Sequence, residues 1–296
     1  MHAPLGWTPA IGQLIDLALE EDLGRGDITT QVAGSEEDAI GTIVARQRLV
    51  CCGLPVADWV AERAEPELSH EGHAEDGDWL EAGAVLARFA GRASSILRVE
   101  RVVLNFLMRM CGVATITALY VDAVAGTRAR IVDTRKTLPG WRALDKYAVR
   151  VGGGHNHRFD LGSGVLIKDN HIVACGSVGA AVRRAREQAP HPMRIEVEVE
   201  SLPALEEALG AGADVLLLDN MTPEQVGDAA RLCDGRAMIE VSGGIALDNV
   251  AEYAEALEAA LPESAAAPLI SIGALTHSVL GADISLDLSR ASVQVA

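Results

Sequence analysis

The sequence predicts an α/β fold built around a β/α barrel, on three observations. From about residue 129 short β-branched runs alternate with alanine-rich, helix-like stretches, the later intervals between runs are short and regular, and chemically distinctive residues follow each run directly. Strands alternating with helices pair in parallel through right-handed crossovers. The regular spacing favours a closed barrel over an open doubly wound sheet.

Residues 1 to about 112 have a different texture. Thr42 to Leu49 and Val85 to Phe89 read as strands, and Asp76 to Ala84 reads as a turn-rich hairpin. Ser94 or Ser95 is the expected N-cap of a helix running through Met110, on which Arg101, Asn105 and Arg109 recur at helical spacing along one stripe. The barrel strands are expected at Ala129 to Asp133, Val165 to Lys168, Arg194 to Val199, Val215 to Asp219, Met238 to Val241 and Leu269 to Ile272. Leu202 to Leu209 and Val250 to Ala260, rich in Ala, Leu and Glu, are helix formers between them.

The 296 residues carry 25 Lys and Arg against 42 Asp and Glu, a formal charge of −17. That excess argues against nucleic-acid and anionic-membrane partners, which are gripped through surface Lys and Arg. Between Arg98 and Asn170, however, 12 basic residues face 6 acidic ones, and the chain's 3 lysines, Lys136, Lys146 and Lys168, all fall there. The first residues place Asp16, Glu20, Glu21 and Asp22 close behind an apolar stretch, unlike a signal peptide. The longest uncharged stretch, Ser264 to Ala282, is too polar for a membrane span. Five cysteines without a C-x-x-C pair favour neither a disulfide framework nor a zinc site, so a reducing cytoplasm is expected.

In a β/α barrel the C-terminal strand ends converge on the active face, and the last two loops commonly hold a phosphate. Here the ends read Asp133-Thr134-Arg135-Lys136, Lys168-Asp169-Asn170, Glu198-Val199-Glu200, Asp219-Asn220, Ser242-Gly243-Gly244 and Gly273-Ala274. Four charged ends followed by two glycine-containing ones suit a phosphorylated, anionic substrate. Arg135 and Arg158 offer planar forks for carboxylate or phosphate, and Lys136 and Lys168 offer point charges. Pairing of those arginines with surface carboxylates is the plainer alternative, and the gathering of every lysine here weighs against it. His155 and His157 lack a matching third metal ligand and adjoin Arg158, so His157 is read as a hydrogen-bonding group at the anion site. Glu196, Glu198 and Glu200 share one strand face. With Asp219 they suit Mg²⁺ or sugar hydroxyls, hard oxygen ligands plus substrate phosphates being the usual magnesium arrangement.

Read together, these residues resemble the quinolinate phosphoribosyltransferase family, the carboxylating nicotinate-nucleotide pyrophosphorylases. The resemblance runs from Glu21-Asp22-Leu23-Gly24-Arg25-Gly26-Asp27 through Glu100-Arg101-Val102-Val103-Leu104-Asn105, Thr134-Arg135-Lys136-Thr137-Leu138-Pro139-Gly140, Asn156-His157-Arg158, Ile167-Lys168-Asp169-Asn170-His171, Glu196 to Glu200, Leu218-Asp219-Asn220 and Ser242-Gly243-Gly244. It implies an incomplete β/α barrel over residues 113–278, an N-terminal α/β sandwich over residues 1–112, and a tail, residues 279–296, that returns to the sandwich. It also implies a cytoplasmic homodimer with shared active sites, with higher homo-oligomers left open.

The resemblance assigns Arg135, Lys136, His157, Arg158 and Lys168 to the two carboxylates of quinolinate, with Arg101 entering from the neighbouring subunit. Glu198 and Asp219 would serve the ribose and Mg²⁺. Ser242, Gly243, Gly244, Gly273 and His277 would line the 5-phosphate pocket of phosphoribosyl pyrophosphate. Lys136, Lys168, Glu198 and Asp219 form the expected catalytic set. One departure is the loop Phe159-Asp160-Leu161-Gly162-Ser163, where the family often has a glycine and an aspartate. Two other readings stay open at this point: a paralogue of the same fold associated with molybdenum transport, and a non-catalytic anion-binding module.

Overall fold

The computed structural model describes residues 4–291. The chain divides into two compact units: one runs through Ala118, resumes over Thr137–Gly153 and takes in the chain from Thr276 on, and the other comprises Leu119–Lys136 and Gly154–Leu275.

The elements of the first stretch are α1 (Pro9–Leu23), α2 (Ile28–Ala33), β1 (Asp38–Ala45), β2 (Leu49–Val50), α3 (Leu54–Ala64), β3 (Ser69–Gly72), β4 (Trp79–Leu80), β5 (Val85–Arg92) and α4 (Ala93–Ala123). Then follow β6 (Arg130–Val132), α5 (Arg142–Val151), β7 (Val165–Ile167), α6 (Asp169–Cys175), α7 (Val178–Gln188), β8 (Ile195–Val199), α8 (Leu202–Gly210), β9 (Val215–Asp219) and α9 (Pro223–Cys233). The remainder is β10 (Met238–Ser242), α10 (Val250–Ala260), β11 (Leu269–Ser271), α11 (Ala274–His277) and β12 (Ile284–Arg290).

The first unit is built on an antiparallel sheet in the order β12-β1-β5-β3. Ile43 and Leu86 from its strands and Ile96, Leu104 and Leu107 from α4 are fully buried, which marks where sheet and helix share a core. The expected strand from Thr42 to Leu49 is two strands: β1 stops at Ala45, and the run Arg46-Gln47-Arg48 turns the chain before β2. Arg46 anchors that turn, its side chain donating to Ser285 Oγ and pairing with Asp287 of β12. The expected hairpin at Asp76 to Ala84 instead supplies β4, which pairs antiparallel with β2. Asp76 ends up as a hub: its carboxylate accepts the N–H groups of Gly53 and Leu54 at the start of α3 and the hydroxyl of Tyr147. Carboxylates are favoured at a helix N-terminus because its first N–H groups lack intrahelical partners.

Helix α4 outruns its expected end at Met110 by more than three turns. Gly112, two residues past that end, is a point of close approach: a Cβ on it would lie 2.3 Å from the carbonyl oxygen of Leu280. The returning chain is held there by Ala282 N–H donating to Met108 O at 2.8 Å. α4 is long and apolar enough to cross a membrane, a property that Arg109 masks by interrupting its uncharged run; 67% of its most apolar window is buried inside the protein, as in a core helix. The stripe Arg101, Asn105, Arg109 splits by burial. Arg101 is exposed, whereas Arg109 makes a two-pronged bond to the buried Asp145 at 3.0 and 2.9 Å and a third to Thr276 O at 2.7 Å.

The second unit is a six-stranded parallel sheet in the order β6-β11-β10-β9-β8-β7. Chain order therefore advances steadily from β7 to β11, and the first strand, β6, pairs with the last. A doubly wound sheet would reverse direction at a switch point. A barrel requires this cyclic order, and here the cycle is open between β6 and β7, so the barrel is incomplete. Helix caps are readable in the sequence: Ser177, Ser201 and Thr222 each accept an N–H from the first turn of α7, α8 and α9, and Thr222 forms a reciprocal box with Gln225.

Candidate active site

The register of the second sheet decides which side chains meet. Glu196 lies beside Val215 and Leu166, Glu198 beside Leu217, and Glu240 beside Leu217 and Leu269; Ser242 lies beside Asp219. Adjacent partners in a parallel ladder point to the same side. Glu196, Glu198, Asp219, Glu240 and Ser242 therefore share one face, while Ile195, Val197 and Val199 are buried on the other.

At the C-terminal rim, Lys168 Nζ stands 2.6 Å from Glu198 Oε2. Carboxylate oxygens of Glu198, Glu200 and Asp219 lie within 4.8 Å of one another. Burial raises the Asp219 pKa above its ordinary value, and the negative charges of Glu198 and Glu200 push the same way, against Lys168 and Lys136. Such a cluster is short of positive charge and matches a divalent cation or hydroxyl donors. Beside it, Asn220 N–H donates to Ser242 O at 3.0 Å and its amide to Asp219 Oδ2 at 2.7 Å. Gly243 and Gly244 follow with φ of +90° and +65°. A Cβ on Gly243 would fall 2.3 Å from Asn220 Oδ1, so this turn admits only glycine. Successive left-handed residues turn backbone N–H groups to one side, a concavity that suits an anion.

On the free edge of β6 the chain returns at His155, which bridges Val132 in parallel. Two residues on, His157 N–H donates to the buried Asp133 at 2.9 Å, and Arg158 donates to Gly164 O at 3.0 Å. Burial and the neighbouring charge of Arg135 lower the Arg158 pKa, with Glu196 opposing. Two neighbouring guanidiniums form a natural seat for a carboxylate. The His157 imidazole is held between Glu196 and Glu240, one layer down the strands from Glu198 and Ser242. These three residues also line a cavity of about 370 Å³ with Val215, Met238 and Leu269 from the strand starts.

The second unit thus carries Arg135, Lys136, His157, Arg158, Lys168, Glu198, Asp219, Ser242, Gly243, Gly244 and Gly273 along its sheet. Arg101 and His277 belong to the first unit. His277 ends α11 with Nδ1 2.5 Å from Ser278 Oγ. Glu240 is a site residue that the strand-end pattern does not single out. Its signal is a single acid inside the apolar strand run Met-Ile-Glu-Val-Ser, where an unpaired charge would be expensive. The departing loop is a small local turn, Asp160 Oδ1 accepting from Gly162 N–H and Ser163 Oγ.

Comparison with known proteins fits this geometry. Residues 27–111 match the N-terminal domain model of quinolinate phosphoribosyl transferase and residues 113–287 match its C-terminal domain model. The chain belongs to the quinolinate phosphoribosyltransferase family. It is 41% identical over 275 residues to a probable carboxylating nicotinate-nucleotide pyrophosphorylase of Bacillus subtilis, covering 93% of this chain and 92% of that one. A carboxylating nicotinate-nucleotide pyrophosphorylase of Mycobacterium leprae is 44% identical over 281 residues, 92% of this chain and 94% of its own. Among solved structures, NadC from Streptococcus pyogenes superposes with a TM-score of 0.89 at 39% identity, over 98% of this chain and all of that one (100%).

Proposed function

We propose that this member of the family transfers a phosphoribosyl group from phosphoribosyl pyrophosphate to the ring nitrogen of quinolinate, releasing pyrophosphate and CO₂ and leaving nicotinate mononucleotide, a step of NAD biosynthesis. The observation that carries this reading is the arrangement along one sheet: neighbouring guanidiniums at Arg135 and Arg158, an acidic cluster at Glu198 and Asp219 with Lys168 paired to Glu198, and the Ser242-Gly243-Gly244 turn.

Arg135, Lys136, Arg158 and Lys168 hold the two carboxylates of quinolinate and so place its nitrogen toward the sugar; His157, expected among them, instead turns its ring to Glu196 and Glu240 and supports Arg158 through Nδ1. As pyrophosphate departs, positive charge grows on the ribose, and the carboxylates of Glu198 and Asp219 stabilise it. The turn at Ser242 to Gly244 and the backbone at Gly273 receive the 5-phosphate. Glu198, Glu200 and Asp219 have the hard oxygens to hold Mg²⁺, which when bound would offset the charge of the leaving diphosphate. Once the ring nitrogen is alkylated the pyridinium accepts the electron pair released by decarboxylation, so no covalent protein nucleophile is needed. Nor does the proposal require nucleic acid or a membrane.

Incubating the purified protein with quinolinate, phosphoribosyl pyrophosphate and Mg²⁺ should yield nicotinate mononucleotide and CO₂. Quinolinate binding without product would leave an anion-binding module, and binding of neither substrate would favour the paralogue. The proposal extends to a cytoplasmic homodimer in which Arg101 completes the partner's site, with His277 serving the phosphate. Mixing inactive Arg101→Ala with inactive Lys168→Ala protein should restore part of the activity; no recovery would rule out a shared site.

A further inference from the structure

Both ring nitrogens of His157 are engaged. Nδ1 accepts the backbone N–H of Arg158 at 2.7 Å, which puts the ring proton of the neutral imidazole on Nε2. Nε2 points between two carboxylates: it bonds Glu196, 3.4 Å from Oε1 and 3.3 Å from Oε2, and Glu240 Oε1 stands 3.5 Å away on the other side. A metal-bound histidine does the reverse: it turns its bare nitrogen to the ion and its N–H to a carbonyl or carboxylate. The trio is therefore a hydrogen-bond anchor, although its three side chains lie close enough to surround a cation.

Glu240 is the decisive member. It is 1% exposed, and its buried Oε1 has no hydrogen-bond partner among the described residues, the nearest positive group being the His157 ring at 3.5 Å. A buried carboxylate oxygen left without a partner is expensive, so its presence on a strand that could carry an apolar residue needs a reason. The remaining groups around it are Glu196 from β8, the Ser271 hydroxyl from β11, and Asp133, which itself anchors the His157 backbone.

We infer that Glu240 is a positioning residue for the anion-binding turn: its buried carboxylate, standing beside Glu196 on the Nε2–H side of His157, holds the imidazole in place by the charge on its oxygen, and through the Nδ1 bond this fixes the direction in which Arg158 leaves the backbone. Glu240 touches no substrate in this scheme. The inference rests on the proposed role of Arg158 at a quinolinate carboxylate.

Three variants and two readouts test it. Replacing the carboxylate by an apolar group in Glu240→Leu should raise the KM for quinolinate about tenfold or more while kcat and the KM for phosphoribosyl pyrophosphate stay within about twofold. Glu240→Gln keeps an oxygen with partial negative charge at that place and should restore the quinolinate KM to within about threefold of the parent. If Glu240→Leu does not fold, Glu240→Asp, which withdraws the charged oxygen from the ring, should show the same selective rise. Histidine ¹⁵N spectra of the parent and of Glu240→Gln should report His157 as the Nε2–H tautomer at matching shifts, and the Leu or Asp variant should move the Nε2 signal. An unchanged quinolinate KM in the Leu or Asp variant, a uniform rise in both KM values, or a Gln variant as impaired as Leu would overturn the inference. If the parent makes no nicotinate mononucleotide, the functional reading fails by itself, and the ¹⁵N spectra still decide whether Glu240 governs the imidazole.

Discussion

Lys168 and Glu198 form an ion pair across two strands, Nζ to Oε2 at 2.6 Å, with the lysine half exposed and the glutamate side chain 13% exposed. The pair follows from register: Ile167 is the partner of Val197, so the next residues along, Lys168 and Glu198, come side by side at the rim. It balances one carboxylate of the acidic cluster while leaving Lys168 accessible. Replacing Lys168 by Met should lower kcat/KM by about 10²-fold, the usual scale for losing one charged stabilising group in an active site. The melting temperature should move by no more than about 2 °C, because a half-exposed ion pair contributes little to stability.

Asp219 carries the opposite role in the same cluster. On the proposed mechanism Asp219→Asn should cut kcat by about 10² to 10³-fold, the lost charge being the one assigned to the developing positive charge on the ribose. Isothermal titration with quinolinate should give parent-like binding, and a matching loss of quinolinate affinity would move Asp219 out of the ribose end of the site.

Gly243 is held against Asn220. In Gly243→Ala the new methyl meets Asn220 Oδ1 at 2.3 Å in a residue whose φ is +90°. Either the turn or the 219–220 segment must shift, so the KM for phosphoribosyl pyrophosphate should rise about tenfold or more while quinolinate binding is kept. Steady-state kinetics with each substrate varied separately will show the split.

Arg109 and Asp145 lie in the first unit and carry stability. The Arg109 side chain is 17% exposed and that of Asp145 1%, and burial raises the Asp145 pKa while Arg109 opposes that. Arg109→Ala strands a buried carboxylate and removes the side-chain donor to Thr276 O, which should cost about 3–5 kcal/mol in urea unfolding. Arg109→Lys, unable to form the two-pronged bond, should recover only part of it.

Glu240 makes stability depend on pH. Its pKa is raised to about 7, first by burial and then by Glu196, with His157 opposing. The folded state thus holds a proton that the unfolded chain has released by then, so stability is full below the ordinary glutamate pKa and declines as pH rises through 7. Urea unfolding should show a drop of a few kcal/mol at most between pH 5 and 8, since each tenfold difference in proton affinity between the folded and unfolded chain is worth about 1.4 kcal/mol. Glu240→Gln should flatten that slope.

Much of this was legible in the sequence because it is carried by periodicity and by strand ends. The strand from Val215 to Asp219 and the helix from Val250 to Ala260 fall where their residues predict. Acids and bases that end each run converge because parallel strands share one polarity. Three things were hidden. Glu240 looks like an ordinary strand residue until the register sets it beside His157, a contact between distant segments that no local pattern encodes. Glu196 groups with Glu198 and Glu200 by its period of two, yet it pairs with His157, one layer deeper. Helix α4 passes its expected end, and Gly112 just beyond that point is held close to Leu280, a tertiary contact that no local pattern shows.

Strand β12 is the edge of the first sheet and pairs along β1 from Ala45 with Ile284 to Ala39 with Arg290. During synthesis β1 therefore waits with one edge bare until nearly the whole chain has left the ribosome. The amino-terminal unit cannot reach its final form as it emerges, and the later unit can complete its own sheet first. Pairing this distant in sequence is slow and leaves an open strand edge exposed to other chains meanwhile. Removing the last strand would fall on the first-made half of the molecule, with the barrel keeping every one of its own strands.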